Sequence, residues 1–159
     1  MIKVVFVCHG NICRSPMAEF LFKDYVKKMN CKSQFLISSC ATSKEEIGNK
    51  VHYKTREILN SLGIDCSNKR AVQICKDDYE KYDFILAMDK NNVYNLKRIL
   101  GEDKDNKIHL LLEYAGSNSD ISDPWYTGDF KKAYEDINLG IKCFFNFLIE
   151  NGLVNFIKS

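Results

Sequence analysis

Hydrophobic and polar residues form two kinds of pattern along this chain, and the two kinds alternate. Short apolar runs rich in β-branched and aromatic residues are typical of buried strands, and they occupy 2–7, 35–39, 84–87 and 108–112. Apolar positions at helical spacing, with polar residues between them, predict helices at 16–29, 52–62, 77–81 and 91–100. A last helix is predicted from the spacing of Ile137, Ile141, Phe144, Phe145 and Leu148.

This alternation predicts an α/β fold, a single domain of residues 1–159 in which a parallel sheet is covered by helices on both faces. Crossovers between parallel strands are right-handed, and the loops that follow the strands share one edge of the sheet. These loops are residues 8–15, 39–49, 88–91 and 113–129. We expect them to converge and to build a site from several parts of the chain.

Composition and charge exclude some classes of partner. The chain is 45% hydrophobic with a net charge of +2, and its lysines are interleaved with acidic residues instead of forming a stripe. Nucleic acid is therefore not an expected partner. Uncharged apolar runs fall short of the roughly 20 residues that span a bilayer, and the first run is too short for a signal sequence. We expect no membrane association.

The cysteines point to the cytoplasm. There are seven, an odd number, and no two of them form a Cys-x-x-Cys pair. This usage fits neither a secreted disulfide framework nor a zinc ribbon. We therefore expect reduced thiols and a cytoplasmic location.

The loop after the first strand carries the strongest chemical signal. It reads Cys8-His9-Gly10-Asn11-Ile12-Cys13-Arg14-Ser15, and Pro16 follows it. Gly10 and Asn11 tolerate the left-handed backbone that turns amides inward, while Ser15 and Pro16 suit the N-cap and first position of a helix. Such a loop binds anions, and its amides with Arg14 would stabilise a Cys8 thiolate. In the alternative interpretation, Cys8 is a core residue and Arg14 a surface charge.

The loop at 113–129 contains Asp123-Pro124-Trp125-Tyr126. A cysteine that attacks a phosphate ester needs an acid for the departing oxygen, and Asp123 is a candidate. Asp120 is the second candidate, but no proline follows it. In the alternative interpretation, this segment is a proline turn in which Trp125 and Tyr126 are partly buried anchors.

These motifs together resemble the low-molecular-weight protein tyrosine phosphatases. The similarity rests on residues 8–16 and 123–126, and it extends to Ser39-Cys40-Ala41-Thr42-Ser43, Glu46-Ile47-Gly48-Asn49 and Ala87-Met88-Asp89. It implies a four-stranded parallel sheet in the order 2-1-3-4 with the phosphate-binding loop after strand 1. It also implies hydrolysis of phosphotyrosine and other aryl phosphate monoesters, including acid phosphatase activity, through a cysteinyl phosphate.

The resemblance assigns roles to individual residues. Cys8 corresponds to the nucleophile, Arg14 to the guanidinium that holds two phosphoryl oxygens, and Asp123 to the general acid. Ser15 corresponds to the hydroxyl that stabilises the thiolate, and Asn11, with Ser39 nearby, to the residue that holds the loop. The phosphate-binding loop also includes His9, Gly10, Ile12 and Cys13. No metal or other cofactor is expected, because the amides and Arg14 supply the positive charge.

The expected pocket walls favour a planar aryl phosphate. They are His9, Ile12, Glu45, Glu46, Trp125 and Tyr126. Many family members have an aromatic residue in place of Glu45 and a small or apolar residue in place of His9. Relatives directed at phosphoarginine have threonine in place of Ile12, so Ile12 indicates tyrosine. The expected substrate is a phosphotyrosine protein or a small aryl phosphate, with inorganic phosphate and other oxyanions as inhibitors.

Two alternative functions use the same loop. An arsenate reductase would need further cysteines near the third strand, where this chain has Ala87-Met88-Asp89, and Cys75 lies before that strand. A non-catalytic phosphotyrosine-binding module would need neither the thiol of Cys8 nor the acid. A separate hypothesis concerns Cys13, which either packs the loop or traps oxidised Cys8 as a reversible disulfide.

Overall fold

The computed structural model describes residues 1–157 and contains four strands and six α-helices in that range. The strands are β1 (Ile2–Cys8), β2 (Phe35–Ala41), β3 (Phe84–Ala87) and β4 (Ile108–Leu110). The helices are α1 (Arg14–Lys28), α2 (Tyr53–Ser61), α3 (Asp78–Lys81), α4 (Lys90–Leu100), α5 (Pro124–Thr127) and α6 (Phe130–Glu150). Short 3-10 helices occupy Lys32–Gln34 and Leu111–Ala115.

The strands form one parallel sheet in the order β2-β1-β3-β4, so the predicted fold class and strand order are confirmed. β1 is central, and residues 4–7 are fully buried. Because side chains alternate across a strand, Val4 and Phe6 face one apolar cluster, while Val5 and Val7 face another. Apolar layers on both faces explain why this strand is a continuous hydrophobic run.

The larger cluster lies between the sheet and helices α1 and α6, and aromatic rings dominate it. Phe22 of α1 contacts Phe6 of β1 edge-on at 5.8 Å and Phe144 of α6 at 5.5 Å between ring centroids. On the opposite face, Leu96 of α4 packs in the second cluster. No helix among residues 1–157 is long and apolar enough to cross a membrane.

The predicted fourth strand was too long at its end. It stops at Leu110, and the chain turns into the 3-10 helix Leu111–Ala115 that packs against α6. At the contact, a Cβ on Gly140 would lie 2.6 Å from Cγ of Leu111, so glycine is required for this approach. The predicted loop at 113–129 likewise contains the end of this 3-10 helix and the short helix α5. Local apolar pattern alone did not distinguish a strand from a tight helical turn here.

The predicted start of α1 was wrong by two residues. The helix begins at Arg14, Cys13 is its N-cap, and no side chain caps it. Ser15 is therefore not the N-cap, because its hydroxyl is turned toward the sulfur of Cys8 at 3.0 Å. Pro16 occupies the third helical position, where a missing N–H costs nothing because the first-turn amides have no partner within the helix.

The loops that follow the strands converge at one sheet edge, as the alternation predicts. The amide of Thr42, after β2, donates to the carbonyl of Cys8 at 3.0 Å. The amide of Ile121, after β4, donates to the carbonyl of Met88, after β3, at 2.8 Å. This edge therefore holds the two motifs that the sequence singled out.

Candidate active site

The loop at residues 8–15 wraps around the sulfur of Cys8. The backbone amides of Asn11 and Ser15 lie 3.3 and 3.4 Å from Sγ, and the Ser15 hydroxyl lies 3.0 Å from it. Ser15 is in the first turn of α1, so its amide has no competing partner within the helix. Three hydrogen-bonding groups are thus aimed at one sulfur.

Asn11 holds the loop in this shape. Its φ of 60° is the left-handed conformation predicted for this position. Its Nδ2 donates to the hydroxyls of Ser15 at 2.7 Å and Ser39 at 2.9 Å, and its Oδ1 accepts from the amide of Val72 at 3.1 Å. Asn11 therefore links the loop to β2 and to the segment before α3.

A buried carboxylate that sequence reasoning missed continues this network. Glu19 is 5% exposed, and its Oε1 accepts from the Ser39 hydroxyl at 2.5 Å, while its Oε2 pairs with Lys23 at 2.6 Å. Because Ser39 donates to Glu19, it accepts from Asn11, and Asn11 in turn donates to Ser15. The Ser15 hydroxyl, which accepts from Asn11, can therefore donate to the Cys8 sulfur at 3.0 Å or to the carbonyl of Cys40 at 3.5 Å. In the sequence, the indication that Glu19 lies near the loop was its i, i+4 spacing from Ser15 on α1.

Arg14 is almost fully buried and is held by three acceptors. Its Nη1 donates to Asp89 at 2.7 Å and to the carbonyl of Ile121 at 2.8 Å, and its Nη2 donates to Asp123 at 3.3 Å. Burial alone would lower the pKa of Arg14, but attraction to Cys8, Asp89 and Asp123 outweighs it and raises the pKa above its ordinary value. The guanidinium therefore remains a fixed cation beside the sulfur.

Asp89 is a second residue whose part in the site the sequence did not predict. Its Oδ1 caps α4 by accepting from the amide of Asn92 at 2.7 Å, while its Oδ2 accepts from Arg14. An aspartate three residues before an asparagine at the start of a helix is a recognisable capping pattern. Nothing local indicates the contact with Arg14, which is 75 positions away.

Asp123 reaches the same cleft from the loop after β4. Its Oδ2 faces Arg14, and its Oδ1 accepts from the amide of Trp125 at 3.0 Å, which fixes the carboxyl at the start of α5. Asp120 does not line the cleft, and its Oδ1 instead accepts from the amide of Lys90 at 2.9 Å. Position therefore favours Asp123 over Asp120 as the acid.

One cleft brings together most of the sequence-predicted residues. Of the predicted residues, only Asn11 and Ser15 do not line it, because both are buried within the loop and their side chains bond to each other there. One wall is His9, whose Nε2 lies 2.9 Å from Glu45. Another part of the lining is exposed and aromatic, with Trp125 57% and Tyr126 82% accessible. The cleft is lined by Cys8, His9, Gly10, Ile12, Cys13, Arg14, Glu45, Glu46, Asp123, Trp125 and Tyr126.

Cys13 also borders the cleft, and it is 5% exposed. Burial, followed by repulsion from Cys8 and Asp123, raises the pKa of the Cys13 thiol to about 12. The two loop cysteines are thus in contrasting environments, because amides and a hydroxyl surround only the sulfur of Cys8. Within residues 1–157, no group of three or more His, Cys, Asp or Glu side chains could hold a metal ion.

Comparison with known proteins connects this geometry to a family. A family model described as low molecular weight phosphotyrosine protein phosphatase matches residues 3–152. The low molecular weight protein-tyrosine-phosphatase YfkJ of Bacillus subtilis is 38% identical over 142 residues, which cover 88% of this chain and 91% of that protein. The crystal structure of YfkJ matches with a TM-score of 0.91 at 36% identity, over 95% of this chain and 96% of that one.

Two further solved structures are similar. Wzb of Vibrio vulnificus in complex with benzylphosphonate has a TM-score of 0.81 at 26% identity and covers 92% of this chain and 99% of its own. The Drosophila arginine phosphatase DARP has a TM-score of 0.84 at 30% identity and covers 92% of this chain and 97% of its own. The match of the family model and the identity to YfkJ both extend over most of the chain. This chain belongs to the low molecular weight phosphotyrosine protein phosphatase family.

Proposed function

We propose that this protein hydrolyses phosphotyrosine and other aryl phosphate monoesters through a cysteinyl phosphate on Cys8. The observation that carries the proposal is the ring of donors around the Cys8 sulfur, with Arg14 and Asp123 beside it in one cleft. A thiolate, a fixed cation and an acid are the three groups that such a reaction needs.

In the first step, the Cys8 thiolate attacks phosphorus and the bond from phosphorus to the phenolic oxygen breaks. The loop amides and Arg14 hold the phosphoryl oxygens, and the planar guanidinium suits two of them at once. Asp123 gives its proton to the departing phenolate. The products of this step are a free phenol and a phosphoryl group bonded to sulfur.

In the second step, water attacks the cysteinyl phosphate, and Asp123, now ionised, accepts its proton. The bond from phosphorus to sulfur breaks, which restores the thiolate and releases inorganic phosphate. Because the same amides and Arg14 bind the product, inorganic phosphate and similar oxyanions are expected to inhibit. In both steps, the nucleophile, the cation and the acid are all residues of the chain.

The walls of the cleft favour an aryl substrate. Ile12, Trp125 and Tyr126 offer apolar and aromatic surface above the loop, which suits a planar ring. The structure of Wzb with benzylphosphonate, an aryl ligand, supports this choice by analogy. Because an arginine phosphatase has a similar fold, phosphoarginine is the other substrate to compare with phosphotyrosine. The apolar side chain of Ile12 favours phosphotyrosine. The ring can belong to a protein or to a small molecule.

The alternative functions have less support. The family match does not favour an arsenate reductase, and Asp89 after β3 is engaged with Arg14. A module that only binds phosphotyrosine would not need an acid beside the guanidinium. All seven cysteines are free, which suits the reducing cytoplasm, and we propose that location.

The direct test is hydrolysis of p-nitrophenyl phosphate at mildly acidic pH in the presence of EDTA. We expect turnover under these conditions, because the chain supplies all the charge that the reaction needs. Peptides that differ only in phosphotyrosine, phosphoserine or phosphoarginine define the substrate class, and we expect the tyrosine peptide to be cleaved fastest. An inactive protein that still binds phosphate would contradict the proposal.

Reversible oxidation provides a second prediction, which concerns Cys13. Peroxide converts the Cys8 thiolate to a sulfenic acid, and attack by Cys13 would release water and form a disulfide. Loss of the negative charge on Cys8 removes one cause of the raised pKa of Cys13. Without Cys13, peroxide would oxidise the sulfenic acid further to a sulfinic acid, which dithiothreitol does not reduce. After excess peroxide and then dithiothreitol, we therefore expect wild type to recover activity and Cys13→Ser to remain inactive. Equal recovery of both proteins would leave Cys13 with a packing role, and the exposed Cys75→Ser is the control.

A further inference from the structure

A second groove lies directly behind His9. All but one of its lining side chains are polar, the exception being Ile99. It is formed by the loop after β2, the segment before α3 and one face of α4. The polar lining residues are His9, Thr42, Ser43, Gln73, Asn95 and Arg98. We call it the Arg98 groove.

The charge of this groove is positive. None of its lining residues is acidic, and no carboxylate among residues 1–157 forms an ion pair with Arg98. The guanidinium lies over the ring of Tyr94, one helical turn earlier on α4, at 5.9 Å from the centroid. Stacking of this kind orders a side chain that would otherwise lose entropy on binding an anion.

The groove also has a buried hydrogen-bonding group that lacks a partner among the described residues. Thr42 is 6% exposed, and its buried hydroxyl has no partner in the part of the chain that the structure describes. Beside it, Gln73 donates to the carbonyl of Thr42 at 2.9 Å, which fixes the amide side chain in the groove. A buried polar group without a partner costs free energy unless a ligand or water satisfies it.

The groove adjoins the catalytic cleft, because His9 lines both. Glu45 approaches His9 from the cleft side and does not line the groove. A peptide whose phosphotyrosine enters the cleft therefore has a neighbouring residue within reach of the groove. That residue would meet one guanidinium and several polar groups, but no acid.

We propose that the Arg98 groove is a specificity subsite that binds an acidic side chain flanking the phosphotyrosine of a peptide substrate. This inference rests on the proposed function. Arg98 pairs with the carboxylate of the bound peptide, and the uncharged polar lining leaves that pair without a competing acid. An exposed ion pair of this kind changes affinity by a few-fold. The subsite therefore selects among phosphotyrosine peptides without altering the chemistry.

The test compares phosphotyrosine peptides that carry one glutamate at each of three positions on either side, with glutamine at that position as the reference. In wild type, we expect glutamate to raise kcat/KM about 3- to 5-fold at one or two positions. Arg98→Gln should bring this ratio close to 1, and high salt should do the same in wild type. The charge reversal Arg98→Glu should transfer the preference to a peptide with lysine at that position.

Lys97→Gln is the matched control, because Lys97 is the exposed neighbour of Arg98 on α4 and does not line the groove. Lys97→Gln removes one positive charge, as Arg98→Gln does, but this charge lies outside the groove. The preference for glutamate should therefore remain. All variants should hydrolyse p-nitrophenyl phosphate like wild type, since this substrate has no flanking residues. If wild type shows no glutamate preference, or if Arg98→Gln retains it, the subsite alone is refuted. A wild type inactive on every substrate would refute the proposed function and the subsite with it.

Discussion

Replacement of Cys8 by serine is expected to lower kcat/KM for p-nitrophenyl phosphate by about 10⁴-fold or more. A serine hydroxyl stays protonated where two amides and the Ser15 hydroxyl stabilise a thiolate. Burial raises the pKa of Cys13, the other thiol in the cleft, to about 12, so it is a poor replacement nucleophile. Steady-state hydrolysis of p-nitrophenyl phosphate at saturating and limiting substrate measures the loss.

Cys8→Ser should nevertheless bind phosphate, which separates lost chemistry from lost structure. The loop amides and the guanidinium of Arg14 remain in place, and they carry the positive charge that attracts the anion. A ligand at 100 times its Kd stabilises a folded protein by about 2.7 kcal/mol. We therefore expect phosphate to raise the Tm of both the wild type and the variant.

Cys75→Ser is the control for this prediction, because Cys75 is an exposed cysteine that does not line the cleft. It should keep wild-type activity. If Cys8→Ser retained more than about one hundredth of wild-type activity, a cysteinyl phosphate could not be the main route. A variant that neither cleaves nor binds phosphate would instead show that the loop depends on the thiolate for its shape.

Replacement of Asp123 by asparagine is expected to lower kcat by about 10²- to 10³-fold for phosphotyrosine. Asparagine preserves the size of the side chain and its acceptor for the amide of Trp125, so α5 should keep its start. It cannot deliver a proton to the phenolate. Because the substitution also removes a negative charge beside an anion site, KM should stay the same or fall. Steady-state kinetics on a phosphotyrosine peptide separates kcat from KM.

The identity of the leaving group sharpens this prediction. The phenol group of tyrosine has a pKa of about 10, so its phenolate is a poor leaving group unless it receives a proton. The p-nitrophenolate ion is a much weaker base and depends less on an acid. We therefore expect Asp123→Asn to lower kcat less for p-nitrophenyl phosphate than for phosphotyrosine.

Asp120→Asn is the matched control, since Asp120 lies three positions earlier in the same loop and outside the cleft. Its substitution preserves an acceptor for the amide of Lys90 and should leave kcat unchanged. Equal kcat losses in the two variants would mean that Asp123 acts on the structure of the loop instead of on the leaving group.

Much of the fold and the cleft could be predicted because the evidence for them is local. The β1 run is apolar on both faces, and Asn11 in the loop after it adopts the left-handed backbone that the sequence suggested, whereas Gly10 does not. Parallel topology then implies that Asp123, more than 100 positions away, returns to the same edge. Pattern and topology bring the loop after β1 and Asp123 to this edge, whereas the pocket walls, such as Glu45 and Glu46, were expected from the family resemblance.

The missed features depend on distant contacts. Ser15 fits the sequence pattern of an N-cap, but its hydroxyl is turned toward a sulfur seven positions earlier. Glu19 resembles an ordinary helical glutamate until β2 brings Ser39 against it. Leu111 continues an apolar run that reads as a strand, but packing against Gly140 bends it into a 3-10 turn. In each case tertiary structure overrides a valid local preference.

The anchoring of Asn11 has a consequence for transplanting this loop. The nine residues from Cys8 to Pro16 look self-contained, but Asn11 needs the hydroxyl of Ser39 and the amide of Val72. The carbonyl of Ile12 is likewise held by the amide of His52 at 2.8 Å. Grafted alone onto the strand–helix junction of another protein, the nonapeptide would lack these three anchors. The smallest portable unit is the loop together with three separate pieces of its surroundings.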